Sequence, residues 1–379
     1  MVKILISGDF SPSNRIAEAI EREDYASFFS QIKELNKIAD YSIVNFESTV
    51  ADDTDIPIYK YGPNLKCTPK ALAALKWAGF NMVTLANNHF FDYGQSSLKK
   101  SFAAIEQNNI DSVGAGINQE SAVRTFYKEI NGKHFAFINC CEHEFSIATD
   151  GHGGCNPLNP IQQYYDITEA KKQADFVIVI VHGGHEHFQL PSPRMKETYR
   201  FFIDAGADAV INHHQHCFSG FEYYKDKPIA YGLGNLCFDY GVGKNKTWNE
   251  GCIAELLFDG NNVSIKLLPY IQCAEIPDIK FLEDRTNFES EISNLNSIIA
   301  DDSQLQLTVY NYYNDSSKHY LSTFEPYAPI RLLSSAWSRG LLPDTFRGKR
   351  ISQAENMLMC ESHLDRLRFA VNKKFNLIK

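Results

Sequence analysis

Five apolar stretches of this 379-residue chain each end in side chains of kinds that can bind metal ions. Asp9 follows KILISG, Asn45 and Glu47 close YSIVNFE, and Asn87, Asn88 and His89 close MVTLANNH. His182 and His185 follow FVIVIV, and His213, His214 and His216 follow DAVIN. Each has an ordinary account when taken singly: an Asp after a strand caps a helix, Asn-Asn-His makes a turn, and a His cluster makes a polar loop. Together they favour a divalent-metal site, because open α/β sheets bind ligands at the carboxyl ends of their strands. Imidazole, carboxylate and amide-oxygen donors suit Mn, Fe or Zn better than a thiolate site would. Glu47 could bridge two such ions about 3.5–4 Å apart, a spacing that clamps an anionic substrate. On an extended segment residues two apart share a face, which would turn His214 and His216 the same way.

The elements that must position these groups alternate. KILISG and YSIVNFE read as strands, with YASFFSQIKELNKIA between them as a helix that gathers Ile32, Leu35 and Ile38 on one side. PKALAALKWAG, SSLKKSFAAIEQNN, ITEAKKQAD and PRMKETYRFFIDAGA read as further helices, and FVIVIV as a strand buried on both faces. Two stretches look antiparallel, turning at Asn131-Gly132 and at Asp259-Gly260. After about residue 276 helical periodicity takes over. The expected organisation is a catalytic unit over 1–275 and a helical C-terminal extension over 276–379.

Bulk properties set outer limits. Hydrophobic residues at 44% and charged residues at 22% are ordinary for a globular chain. A net charge of −9 offers no basic face for a nucleic-acid backbone. Nine scattered cysteines without CxxC spacing read as buried free thiols of a reducing compartment. The sequence opens directly on a strand, and no stretch reaches the ~20 apolar residues of a membrane span, so a cytoplasmic protein is expected.

The same residues resemble the CapA-like proteins of poly-gamma-glutamate capsule synthesis, within the calcineurin-like metallophosphoesterase superfamily. The similarity lies in GDF (8–10), NFES (45–48), AGFNMVTLANNHFFDYG (78–94), HGGHE (182–186), GADAVINHHQH (206–216) and YGLGNLCFD (231–239). It implies a four-layer α/β/β/α sandwich holding two divalent ions. Asp9 and His216 would hold one, Asn88, His182 and His214 the other, with Glu47 bridging. The resemblance makes His89 the group that serves the leaving atom, Asp92 its orienting partner, and Asn45, His185, Glu186 and Asn235 contacts for substrate. Three departures stand out. Ser11 replaces a histidine usual in the wider superfamily, Glu47 replaces an aspartate, and the common His-Trp-Gly reads His182-Gly183-Gly184. Ser11 leaves the Asp9 and His216 ion a ligand short, so the Glu47, Asn88, His182 and His214 half is expected to bind more tightly.

The leading expectation is a metal-dependent hydrolase of a phosphoester or related anionic bond, using a bridging hydroxide. The alternatives are a capsule factor that binds or processes a polymer, and a catalytically decayed ligand-binding member. Partners are therefore a small anionic or polymeric substrate and no nucleic acid. The tail arginines Arg331, Arg339, Arg347, Arg350, Arg366 and Arg368 read as a solvated face or a homo-oligomer contact through the C-terminal helices, or else as a lid gripping substrate.

Overall fold

A computed structural model describes residues 1–241, 246–322 and 347–374, with short pieces between 330 and 342. One sheet runs Ile279–Phe281, Asn262–Gln272, Glu250–Asp259, Val2–Ser11, Tyr41–Phe46, Met82–Thr84, Asp111–Val113, and Asn235–Phe238 pairs with the end of Val2–Ser11. The other runs Phe221–Tyr224, Lys227–Ala230, Ala209–His213, Phe176–His182, Lys133–Cys141, Phe126–Ile130. Side chains alternate across a strand, and the core divides accordingly. Ile4, Ile6, Ile43 and Met82 meet Phe135, Phe137 and Phe258 between the sheets, where Tyr41 stacks on Phe137 at 5.8 Å. Leu5, Val44 and Val83 face the other way. They pack under the helices Ala26–Asn36, Lys70–Trp77 and Gly94–Gln107 with Phe28, Phe29, Leu72 and Leu98.

The second sheet is covered by helices Pro160–Gln173 and Pro193–Ala205, which bury Ile167, Ala170, Tyr199 and Phe202. Local chemistry fixes both. Asn159 and Ser192 cap their first turns through side-chain oxygens, each followed directly by a proline, and Gly206 ends the second helix at φ 119°. The layers are α/β/β/α, as the motifs implied. All nine cysteines are free, and eight are buried.

Register explains why the metal-competent residues converge. Asp9 lies beside Asn45 on one side and Asn235 on the other, past an irregularity in the strand. His182 lies beside His213 and Cys141 in the second sheet. All these pairings are parallel, so the strands ending at Ser11, Phe46, His182 and His213 deliver their last residues to one edge, where Asn235 opens its own short strand. At Gly8 a Cβ would sit 1.9 Å from the Gly234 carbonyl oxygen, so only glycine admits the close approach that seats Asp9.

The last sheet strand, Ile279–Phe281, lies just past residue 275. Helices Thr286–Ala300, Asp302–Ser322, Lys349–Met359 and Glu361–Lys374 follow. The first two and the last share the main core, where Phe288, Ile292, Leu295, Ile299, Leu305, Val309 and Phe369 join it, with Phe288 and Phe218 ring centroids 4.9 Å apart. Met357 of Lys349–Met359 packs with Leu367 in a small separate cluster. Of the tail arginines, Arg339, Arg347, Arg350 and Arg368 are exposed, Arg366 is half-buried, and Arg331 lies outside the described residues. No described helix is long and apolar enough to cross a membrane.

Candidate metal centre

Glu47 sits at the middle of the cluster and is fully buried, with neither carboxylate oxygen hydrogen-bonded. His182 Nε2 lies 3.9 Å and His216 Nε2 3.7 Å from its Oε1. Two ligand groups result, Glu47–His182–His214 and Asp9–Glu47–His216, each with its donor atoms within 4.8 Å of one another. They share Glu47. Asn88 adds its Oδ1, 3.0 Å from His182 Nε2. Burial, with Asp9, Glu186 and Glu144 nearby, pushes the Glu47 carboxyl well above the usual range. Burial, then the neighbouring His214, holds His182 well below the ordinary imidazole value, and burial lowers His216. Neutral imidazoles around an orphaned buried carboxylate make a donor set that fits a divalent cation and leaves the carboxylate uncompensated without one.

Outer contacts orient these donors. Asn45 Nδ2 donates to Asp9 Oδ1 at 2.7 Å, and the His214 backbone N–H donates to Asp9 Oδ2 at 3.1 Å. His216 Nδ1 meets Asn235 Oδ1 at 2.8 Å, which fixes a tautomer whose Nε2 faces Glu47. Asn45 and Asn235, expected at substrate, are instead buried behind the ligands. Their amides hydrogen-bond Asp9 and His216, two of the candidate ligands. The expected extended run through His214 and His216 is also corrected. The strand ends at His213, whose Nε2 bonds the Ser7 carbonyl at 2.9 Å. His214 (φ 92°) and His216 (φ 53°) then adopt left-handed conformations that turn both rings inward. Such strain costs about 1–3 kcal/mol per residue and concentrates at functional sites.

His89 Nδ1 lies 2.7 Å from Asp92 Oδ2, and Lys60 Nζ pairs with Asp92 Oδ1 while lying 3.2 Å from the same His89 nitrogen. All three residues are buried. Lys60 was invisible to sequence reasoning. It lies in an irregular proline-containing loop, IPIYKYGPN, with no periodicity to mark it.

A cavity of about 280 Å³ lies over the ligand set. Asn88, His89 and His214 line one wall, with Lys60, His185 and Glu186 around it. His185 Nε2 bonds Tyr313 Oη at 2.8 Å, so it anchors a C-terminal helix as well as lining the cavity. His363 and Arg366, from the helix Glu361–Lys374, line it too.

The sequence profile of the family described as bacterial capsule synthesis protein PGA_cap matches residues 3–240. The chain belongs to that family. It is 32% identical over 247 residues to the capsule biosynthesis protein CapA of Bacillus anthracis, covering 63% of this chain and 60% of that one. It is 31% identical over 238 residues to the PGA biosynthesis protein CapA of Bacillus subtilis, covering 62% of each. The chain thus spans about three fifths of the length of these two relatives. Among solved structures, a protein of Thermus thermophilus aligns with a TM-score of 0.47 at 16% identity, over 74% of this chain and 99% of that one. Every donor described above belongs to the matched segment, and the helix that also lines the cavity follows it.

That helix is keyed to one tripeptide. Glu142 Oε2 accepts from Ser362 Oγ at 2.5 Å, His143 Nδ1 meets Glu361 Oε1 at 2.5 Å, and Glu144 Oε1 meets His363 Nε2 at 3.4 Å. The hydrogen bond to Glu361 raises the His143 pKa, with Glu142 adding to the attraction. A histidine whose folded pKa is raised stabilises below its unfolded value near 6.5, and that contribution is lost as pH rises through the folded value. Docking of residues 361–374 should therefore loosen on the alkaline side of neutrality. Hydrogen exchange there should quicken between pH 6 and pH 9 beyond the intrinsic rate, and His143→Ala should remove the excess. An excess that His143→Ala leaves in place refutes this origin.

Proposed function

We propose that this chain is a metal-dependent hydrolase of a phosphoester or related anionic bond, with Asp9, Glu47, Asn88, His182, His214 and His216 holding two divalent ions. The observation that carries the reading is Glu47, wholly buried between two histidine groups with no hydrogen-bond partner for either oxygen. Bound divalent ions would polarise the scissile bond and make water nucleophilic near neutral pH. The protein's own groups do the rest. Asn45 and Asn235 hold Asp9 and His216 in aim. Asp92 holds His89 by Nδ1, leaving Nε2 as the atom that passes a proton to the departing oxygen. Lys60 neutralises Asp92, so the pair does not repel an anionic substrate.

His89→Ala should lower kcat on a phosphoester about 10²-fold while metal content stays at the wild-type level. Elemental analysis and a phosphatase and phosphodiesterase screen with Mn, Fe and Zn make the test. Unchanged turnover in His89→Ala, or purified protein that binds no divalent ion, overturns the reading.

Family membership favours a second reading, in which the same site processes a capsule polymer or its precursor. Release of small products from poly-gamma-glutamate by the Mn-loaded protein, without phosphoester turnover, would select it. The division into a 1–275 unit and a helical extension is part of the proposal, in which the extension adds Asn356, His363 and Arg366 to the cavity lining.

A further inference from the structure

We propose that Arg366 is a specificity-determining residue that grips a second anionic group of the substrate, so that the site takes a small molecule or chain end carrying two anionic groups. This rests on the reading of the ligand set as a metal centre. Arg366 lines the same cavity as Asn88, His89 and His214, brought there by the C-terminal helix Glu361–Lys374 rather than by a strand end. One anionic group at the ions therefore leaves the rest of a small substrate facing Arg366. At about 280 Å³ the cavity has room for a small molecule or the end of a chain.

The guanidinium is positioned before any ligand arrives. It lies over the Tyr312 ring at 4.6 Å, and Tyr312 stacks on Phe188 with centroids 4.1 Å apart and planes within 9°. Phe188 belongs to the turn that carries His185 and Glu186, and its N–H donates to the His185 carbonyl at 3.2 Å. The aromatic platform thus ties Arg366 to the metal-binding segment itself. Pairing of residues 142–144 with 361–363 fixes the start of the same helix, one turn before Arg366. A stacked, planar guanidinium is suited to bidentate recognition of a carboxylate or phosphate, which a lysine cannot match. Lys60, on the same cavity wall, pairs with Asp92. Glu144 on that wall is engaged by His363 at 3.4 Å.

Calorimetric titration of the Mn-loaded full chain with inorganic phosphate and with 3-phosphonopropionate tests the assignment. The wild type should bind the two-anion probe at least tenfold tighter than phosphate. Arg366→Gln should collapse that ratio towards one, and Arg366→Lys should retain part of it, which separates loss of the contact from loss of the fold. A ratio of one in the wild type, or a wild-type ratio surviving in Arg366→Gln, overturns the proposal. Failure of phosphate itself to bind in a Mn-dependent way is a different outcome. It removes the metal reading, and the second subsite with it.

Discussion

Metal-free Glu47→Gln should be more stable than the metal-free wild type, although the substitution abolishes divalent-metal binding. Glu47 has no exposure and neither oxygen has a partner, and burial with Asp9 nearby pushes its carboxyl well above the usual range. At neutral pH the folded protein without ions therefore meets the cost of protonating and burying an unsatisfied acid. An amide is neutral without that protonation, at nearly constant volume. A buried unsatisfied polar group costs about 1–3 kcal/mol and a charged one more, so the gain should be about 1–3 kcal/mol after the amide's own cost. Ions reverse the order. A ligand at a thousand times its Kd adds about 4 kcal/mol to the folded state, and Glu47 contributes to both ion groups, so the variant forfeits most of that term. Melting curves with chelator and with excess Mn make the measurement. The wild type should gain strongly from Mn, Glu47→Gln should gain almost nothing, and hydrolysis should fall at least about 10³-fold. A chelated variant that melts below the chelated wild type would contradict this account of Glu47.

How much of this was legible beforehand differs between the fold and the site. Strand ends were readable because each apolar run stops at a polar residue, and parallel pairing then sends all the ends to one edge. The helix 26–36 shows the limit. Its buried face is Phe28, Phe29 and Ile32, while Ile38 is exposed beyond the last turn, where Asn36 binds the Ala78 carbonyl at 2.9 Å. A tertiary contact ended that helix, and no local signal marks one. The His214 and His216 directions were expected from strand alternation but arise from left-handed backbone, which non-glycine residues seldom adopt and spacing does not encode. Lys60 and the 142–144 tripeptide were missed for a shared reason: both act through partners 29 to 220 residues away. One departure from the family pattern does acquire a cause. A Cβ at Gly183 would stand 2.7 Å from Glu142 Cγ, so the small residue after His182 makes room for the side chain that anchors the C-terminal helix.

That anchor supplies the second large effect, because removing its cation strands a buried carboxylate. Glu142 keeps 3% side-chain exposure, and Arg194 meets its Oε1 at 2.6 Å while donating from Nε to Asp365 Oδ2 at 2.8 Å. Burial pushes the Glu142 carboxyl up, yet Arg194 and Ser362 together hold it below its ordinary value. Exposed ion pairs are worth about 0–1 kcal/mol, whereas losing one partner of a buried pair costs about 3–5 kcal/mol. Arg194 retains 27% side-chain exposure, which places Arg194→Met at the lower end, about 3 kcal/mol. The loss should be local first: hydrogen exchange in 361–374 should accelerate before the sheets respond, since both partners of Arg194 concern that helix or the strand end beneath it. Most of the cost comes from the stranded charge rather than from a lost attraction. Glu142→Gln combined with Arg194→Met should therefore be more stable than Arg194→Met alone, by about 1–2 kcal/mol in denaturant melts. A double variant no more stable than the single one would mean that Arg194 holds the helix by packing. The C-terminal lining of the cavity, and with it the placement of Arg366, would then depend on shape instead of charge.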